Sequence, residues 1–156
     1  MRLVVSVFFV GFILAEHPAA ATTITWNGTS SSNWNNPTNW IPQQVPTAAD
    51  HIVFNSGNLT APTNGAFAVM DWAGGNLYGA LTVGVGGMLN VNGSGTRGLY
   101  GVLTNLGTVA VSGSGYVQEY YAAGSGYYGS IYNGVGGVFD VQNDTFALYN
   151  VTGAET

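Results

Sequence analysis

The sequence predicts an all-β protein, namely a right-handed parallel β-helix of about three or four turns, here called rungs. Residues 78–92 align without a gap on residues 128–142, and residues 99–111 form a third, partial copy. Apolar residues alternate within each copy, as Val109 and Val111 do, which is typical of a strand with one buried face. Glycines before and after these strands supply the corners. Beyond the N-terminus no capped, 3.6-residue amphipathic pattern appears.

Two all-β architectures fit these strands, a parallel β-helix and an antiparallel β-sandwich. Rungs that stack on one another repeat as whole units, and the copies recur at intervals of about 20 to 30 residues. The hairpin strands of a sandwich need not repeat in this way. The repeats therefore favour the β-helix, and the sandwich is the alternative.

The N-terminus predicts a cleavable secretory signal over residues 1–21. Arg2 precedes a twelve-residue apolar run over residues 3–14, and Ala19 and Ala21 provide the small residues that a signal peptidase requires. The run is shorter than the roughly 20 residues that span a bilayer. We therefore expect a secreted or cell-surface protein with no transmembrane helix in the mature chain.

The mature chain divides into two regions by composition. Residues 22–72 contain all four tryptophans and predict an N-terminal cap with the first strands. Residues 73–156 are rich in Gly and Tyr and predict the rungs, which we expect to be truncated at the C-terminus. Trp buries a large apolar area, and the end of a stack needs an apolar lid. The predicted lid consists of Trp26, Trp34 and Trp40, and stacking of their indole faces on sugar rings is the alternative interpretation.

The charge of the chain excludes several classes of partner. The formal net charge is −5, and Arg97 is the only Lys or Arg after the signal segment. Such a chain cannot neutralise a phosphate backbone, so nucleic acid is excluded as a partner. Attraction to anionic lipid is excluded for the same reason. Because the chain has no cysteine, burial and hydrogen bonds must stabilise it without disulfides.

The N-terminal region resembles a known class of proteins. Its motifs are Trp-Asn-Gly over residues 26–28, Asn-Trp-Asn over 33–35, Asn-Trp over 39–40, and Val-Pro followed by Asp and an alternating strand over 45–55. Together with Asn-x-Gly-Thr over 105–108, they resemble autotransporter-type and related secreted, adhesin-like bacterial β-helix repeat proteins. The resemblance implies a surface passenger domain and possible end-to-end packing with further repeats.

The best candidate contact surface in the sequence is rich in tyrosine. Tyr provides adhesive area at low cost in conformational entropy. The candidates fall in the longest insertion between rungs, and a plain packed loop is the alternative interpretation. They are Tyr116, Tyr120, Tyr121, Tyr127 and Tyr128. The expected partner is a glycan or another surface protein.

The sequence predicts no catalytic residue, no metal site and no cofactor. His51 lies beside Asp50, and no nucleophile motif accompanies it. Asp71 and Asp140 are conceivable as a glycosidase pair, but their separation is not evident from the sequence. The predicted function is therefore a structural or adhesive β-helix segment without catalytic activity. The alternatives are a carbohydrate-binding module on a cell-wall or matrix glycan and, less favoured, a fragment of a polysaccharide-active enzyme.

Overall fold

A computed structural model describes residues 21–63, 65–122, 126–144 and 148–152. The predicted signal segment, apart from Ala21, lies outside these residues. The described residues contain fifteen strands and one short 3-10 helix (Pro37–Asn39), with no α-helix among them, so the all-β prediction is confirmed. The strands are β1 (Thr23–Trp26), β2 (Trp40–Ile41), β3 (His51–Phe54), β4 (Asn58–Ala61), β5 (Val69–Trp72), β6 (Gly75–Val83), β7 (Met88–Val91), β8 (Arg97–Leu99), β9 (Val102–Asn105), β10 (Thr108–Val111), β11 (Val117–Ala122), β12 (Tyr127–Tyr128), β13 (Ser130–Asn133), β14 (Val138–Val141) and β15 (Leu148–Thr152).

The first sheet, here called sheet A, has seven strands in the order β14-β10-β7-β5-β3-β1-β2. Its first six strands pair in parallel, and β2 pairs antiparallel with β1. The register aligns apolar residues of successive strands in columns on the inward face. One such column consists of Ile24, Ile52, Met70, Leu89, Val109 and Phe139.

The remaining strands form two rows that share the long strand β6. The first part of β6 lies in row B, where it pairs in parallel with β4 and β8, and β11 and β15 continue that row. The last part of β6 lies in row C, where β9 and β13 follow it in parallel. The strand β12 pairs antiparallel with β11. A complete pass of the chain therefore contributes one strand to sheet A, one to row B and one to row C.

Sheet A has more parallel strands than the number of rungs that the sequence repeats predict. Its described part contains six parallel strands, whereas the sequence repeats predicted three or four rungs. The difference arises because β1, β3 and β5 lack the glycine that directly precedes β7, β10 and β14 and makes the later copies recognisable. The strand β5 pairs with both β3 and β7, so the sheet is continuous across the predicted boundary at residues 72 and 73.

The core lies between sheet A and the two rows. The inward column of row B contains Leu59, Leu77 and Leu99, and that of row C contains Leu81 and Leu103, all of them buried. Burial of each such side chain contributes about 1.5–3 kcal/mol. The side chains of these inward columns are more exposed to solvent in the last described strands. Val141 follows the buried Val111 in one column and is 48% exposed.

The corners depend on residues that approach a neighbouring rung closely. A Cβ atom on Gly101 would lie 1.6 Å from the carbonyl oxygen of Gly79, so this corner between rows B and C requires glycine. At the corner between row C and sheet A, the buried Asn105 donates from Nδ2 to Asn133 Oδ1 at 2.7 Å. Its Oδ1 accepts from the backbone N–H of Gly107 at 3.1 Å. Its amide therefore links successive rungs.

Candidate functional site: the tyrosine surface of row B

Three tyrosines on the outer side of row B stack on one another. Tyr78 lies in β6, Tyr100 directly follows β8, and Tyr120 lies in β11. The ring centroids of Tyr78 and Tyr100 are 4.5 Å apart, and those of Tyr100 and Tyr120 are 4.2 Å apart, with interplanar angles of 14° and 5°. Paired strands lie about 4.8 Å apart, so equivalent positions in neighbouring rungs place aromatic rings at stacking distance. We call these three residues the tyrosine ladder.

The position of the Tyr100 ring depends on the absence of a side chain at Gly98. A Cβ atom on Gly98 would lie 2.6 Å from Tyr100 Cε2 and 2.5 Å from Asn76 Oδ1. The Tyr100 ring therefore occupies the space that any other residue at position 98 would fill. In the next rung the Tyr120 hydroxyl donates to Gln118 Oε1 at 2.6 Å, which fixes the direction of that ring.

The environment of the ladder raises the pKa of two of its phenols, those of Tyr78 and Tyr100. Burial, a hydrogen bond with the Tyr120 side chain and the nearby Tyr78 and Tyr127 hydroxyls raise the pKa of Tyr100 to about 12. Burial, followed by the neighbouring phenols, also raises the pKa of Tyr78. Tyr78 and Tyr100 thus carry neutral hydroxyl groups at physiological pH.

The predicted contact tyrosines fall into three ring groups. Tyr120 belongs to the ladder, and Tyr127 packs edge-on against Tyr100 with centroids 5.1 Å apart. Tyr121 and Tyr128 form an edge-to-face pair at 5.7 Å. Tyr116 packs against Tyr149 at 5.2 Å. The five residues are therefore divided among neighbouring groups on β11, β12 and the chain just before β11. The ladder and these groups together are here called the tyrosine surface.

Sequence reasoning missed Tyr78 and Tyr100 as members of this surface. The available signal was the Leu-Tyr-Gly triplet, which occurs at residues 77–79 and again at 99–101. The triplet places a tyrosine at the same point of two rungs. That Tyr120 continues the series is not visible in the triplet, because Tyr121 follows it in place of Gly.

The ring groups differ in what they can contact. In the ladder, stacking covers the ring faces that point toward neighbouring rungs, so mainly ring edges and hydroxyl groups are left for a partner. Tyr121 and Tyr128 are 41% and 51% exposed, and their edge-to-face geometry leaves ring faces available. Both tyrosines can therefore contact another molecule through their ring faces.

The predicted lid tryptophans lie inside the protein. Trp26, Trp34 and Trp40 are buried, and the rings of Trp26 and Trp34 lie 4.8 and 5.2 Å from that of Trp40. Trp40 Nε1 donates to the Trp34 carbonyl at 2.7 Å. Asn39 holds the loop over them, since its Oδ1 accepts from two backbone N–H groups at 3.0 and 3.1 Å. These indole faces contact one another and are not available to a ligand.

Arg97, the only Lys or Arg of the predicted mature chain, is buried among backbone carbonyl groups. Arg97 is completely buried, and burial lowers the pKa of its guanidinium. The side chain forms no ion pair among the described residues and donates instead to backbone carbonyl oxygens at the end of β5 and at the corner between β7 and β8. These belong to Trp72 at 3.0 Å, Gly93 at 2.9 Å, Gly95 at 3.2 Å and Asn92.

The histidine pairs with an acid from another strand. His51 Nε2 lies 2.9 Å from Asp71 Oδ2, and Asn90 Nδ2 donates to Asp71 Oδ1 at 2.8 Å. The adjacent Asp50 is buried and accepts from Thr47 and Thr22 at the start of sheet A. The network of His51, Asp71 and Asn90 lies on the outer face of sheet A, away from the tyrosine surface.

The acids considered as a glycosidase pair do not have the required separation. Asp71 and Asp140 occupy one outward column of sheet A, with Asn90 and Ala110 between them. Three strand spacings correspond to about 14 Å. Glycosidase carboxylates lie roughly 5 to 9.5 Å apart. Within the described ranges, no cluster of three or more His, Asp or Glu side chains could hold a metal ion.

A groove of about 510 Å³ lies where row C turns into sheet A. It is lined mainly by Gly and Ala of residues 65–68 and 84–87, together with Thr63 and Thr82. It contains no charged side chain among the described residues. Its lining therefore offers little that would orient a polar ligand.

Comparison with known proteins returns no matching family model, no matching curated protein and no matching solved structure. No helix in the described part of the chain is both long enough and apolar enough to cross a membrane.

Proposed function

We propose that this chain is a secreted or cell-surface structural or adhesive protein without catalytic activity, built as a right-handed parallel β-helix. The tyrosine surface is the observation that supports this function best. Its ladder presents phenol rings and hydroxyls outward from strands whose inward side chains fill the core. A rigid scaffold with a fixed aromatic surface is suited to holding a partner.

The β-helix part of the proposal is supported by the strand pairings. All described pairings are parallel except β1 with β2 and β11 with β12. Successive strands keep one register, so columns of like residues run through the stack. Parallel strands joined by crossovers take the right-handed form in nearly all proteins, and we assign that hand here.

The proposed role of Trp26, Trp34 and Trp40 is to cap the stack. They lie at the β1 end of sheet A, and β2 pairs with the edge of β1 that no other rung covers. A covered edge cannot recruit a foreign strand. At the other side, an added strand in the register of β14 would bury Val141, so we propose that further repeats pack there.

Glycan binding is the second candidate function, and the exposure of Tyr121 and Tyr128 favours it. Pyranose rings present C–H groups that pack on phenol faces, and Tyr adds a hydroxyl for hydrogen bonding. The buried tryptophans do not contribute to this function. The partner of the tyrosine surface is thus a glycan or another surface protein.

The proposal is tested with the full chain, exported by a bacterial host and coupled to fluorescent beads. The beads are offered a glycan array, immobilised cell-surface proteins and whole cells. We expect binding to at least one of these surfaces, and a Tyr121→Ser, Tyr127→Ser, Tyr128→Ser variant should lose it. The matched control is Tyr132→Ser in row C, which removes a tyrosine that is 62% exposed outside the three ring groups.

The outcomes separate the candidate functions. Binding to an array glycan identifies the carbohydrate-binding function, and binding to proteins or cells alone identifies protein adhesion. The adhesive proposal is wrong if the wild-type protein binds no surface, or if the triple variant binds as well while retaining its thermal midpoint. Release of reducing ends from a polysaccharide by the purified protein would contradict the absence of catalysis.

A further inference from the structure

Tyr121 and Tyr128 face each other directly across two antiparallel strands. They are paired in the register of β11 and β12, and their ring centroids are 5.7 Å apart at an interplanar angle of 67°. Cβ atoms of directly opposite residues lie about 4.5–5.5 Å apart. Two exposed phenols are therefore held within reach of each other by the backbone.

This arrangement suits oxidative coupling of phenols better than the ladder does. The carbon–carbon bond of a dityrosine joins the positions ortho to the two hydroxyl groups, and it lies in the plane of both rings. Rings stacked face to face, such as Tyr100 and Tyr120 at 4.2 Å, must leave the stack before such a bond can form. Tyr121 and Tyr128 are 41% and 51% exposed and are not stacked face to face, so both rings have room to turn.

We propose that Tyr121 and Tyr128 form a dityrosine cross-link within one chain when a haem peroxidase and hydrogen peroxide are present. The peroxidase removes one electron from each phenol, and each phenolic proton passes to the solvent. The two phenoxyl radicals join through their ortho carbons, and the hydrogens on those carbons move to the phenolic oxygens as the rings regain aromaticity. Two tyrosines and one hydrogen peroxide thus give one dityrosine and two water molecules.

The cross-link would serve a strand that is held by few backbone pairings. The strand β12 has two residues and, among the described pairings, pairs only with β11. The chain has no cysteine, so no disulfide can join these strands. A dityrosine would fasten β12 to β11 covalently. The inference rests on the ring geometry alone and does not require the adhesive function.

The test oxidises the full exported chain at low concentration with horseradish peroxidase and an equimolar amount of hydrogen peroxide. We expect blue dityrosine fluorescence, an intact monomer mass lower by two hydrogen atoms, and a fragment in which residues 121 and 128 are joined. Tyr121→Phe and Tyr128→Phe each remove one coupling partner while retaining an aromatic ring. Both variants should lose most of the fluorescence and the mass change.

Two control variants make the assignment specific. Tyr132→Phe removes the most exposed tyrosine of those named and should leave the cross-link unchanged. Tyr127→Phe removes the ring that lies 5.1 Å from Tyr100 and should also leave it unchanged. The proposal is overturned if the Tyr121→Phe and Tyr128→Phe variants couple as the wild type does, if Tyr127→Phe abolishes coupling, or if the product is a covalent dimer.

Discussion

Arg97 shows how one buried residue can organise a corner of the fold. Its guanidinium is completely buried and donates to four backbone carbonyl oxygens. The planar group presents five N–H donors in a fixed arrangement, which the single ammonium of lysine cannot reproduce. In a chain with so few cations, this arginine therefore has a structural role that charge counting alone does not suggest.

We predict that Arg97→Met lowers the free energy of unfolding by about 3 kcal/mol, because several buried carbonyls lose their donor. Arg97→Lys should recover only part of the loss. Urea denaturation followed by far-UV circular dichroism measures both values. Val102→Met, at a position that is 37% exposed on row C, is the control and should change stability little. An unchanged midpoint for Arg97→Met would show that water satisfies these carbonyls.

The stability that Asp50 contributes at the start of sheet A depends on pH. Burial alone would raise the pKa of Asp50, but hydrogen bonds from the Thr47 hydroxyl and from the N–H groups of Thr47 and Thr22 outweigh it, and the net pKa is lowered. The stabilisation is therefore complete above the pKa of about 3.9 in the unfolded chain. It is lost as the pH falls through the lower folded-state value.

Replacement of Asp50 by Asn tests this pH dependence. The amide keeps the shape of the side chain but loses the charge-assisted hydrogen bonds, and we expect a loss of about 2 kcal/mol at pH 7. The difference from the wild type should shrink as the pH is lowered below about 4. Unfolding midpoints measured across this pH range provide the check. A difference that is independent of pH would contradict the assignment.

At the scale of single elements, the ladder depends on the glycine beneath it. We predict that Gly98→Ala costs about 1–3 kcal/mol and weakens the near-UV circular dichroism of the tyrosines, because its Cβ would overlap Tyr100 and Asn76. Gly95→Ala is the matched control, since its Cβ would have no heavy atom within 4 Å. Equal effects of the two substitutions would contradict this account of the ladder.

The strand β11 contains a charged residue in an apolar column. By register, Glu119 continues the inward series of Leu59, Leu77 and Leu99. Burial raises the pKa of Glu119. A carboxyl with a raised pKa stabilises the fold at acid pH, and this contribution is lost as the pH rises through the folded-state value. Its sign is opposite to that of Asp50.

We predict that Glu119→Leu raises the free energy of unfolding by about 1 kcal/mol at pH 7, because an apolar side chain replaces a half-buried charge. The gain should decrease at a pH below about 4, where the wild-type carboxyl is protonated in both states. Glu119→Gln separates the loss of charge from the gain of apolar area. A destabilised Glu119→Leu variant would indicate that the carboxylate has a partner.

At the scale of the whole molecule, the interior columns differ in burial along the stack. Val111 and Val141 are consecutive members of one column, completely buried and 48% exposed respectively. We predict that Val111→Ala costs about 2 kcal/mol and Val141→Ala less than about 1 kcal/mol, because less apolar area and a smaller cavity are involved. Thermal or urea denaturation distinguishes them. Equal costs would indicate that β14 is covered by another rung in solution.

The sequence was sufficient for the all-β class, since alternating apolar residues and corner glycines are local patterns. It also identified the tyrosine-rich insertion, but not the ladder, because Tyr78 and Tyr100 lie outside that insertion. It placed His51 beside Asp50, its neighbour in the chain. The structure pairs His51 with Asp71, twenty residues away, and assigns Asp50 to the turn that precedes β3.

The tryptophans also show what the sequence predicts and what only the structure reveals. Their number and spacing indicate a bulky apolar cluster, and the structure brings Trp26, Trp34 and Trp40 together with their ring faces inside. The sequence could not decide whether these faces bind a ligand or one another. Burial depends on what the loop over residues 27–39 covers, and that is a property of the folded chain.

The sequence by itself thus determined the all-β class and, within the repeat copies, the strands, their corners and their apolar side. These properties depend on neighbouring residues in the chain. Only the tertiary structure decided which strands lie side by side and in what register. Register places Tyr78, Tyr100 and Tyr120 in one stack, sets Tyr121 opposite Tyr128, and separates Asp71 from Asp140. It depends on the packing of the whole core, because a shift of one residue would turn every inward side chain outward.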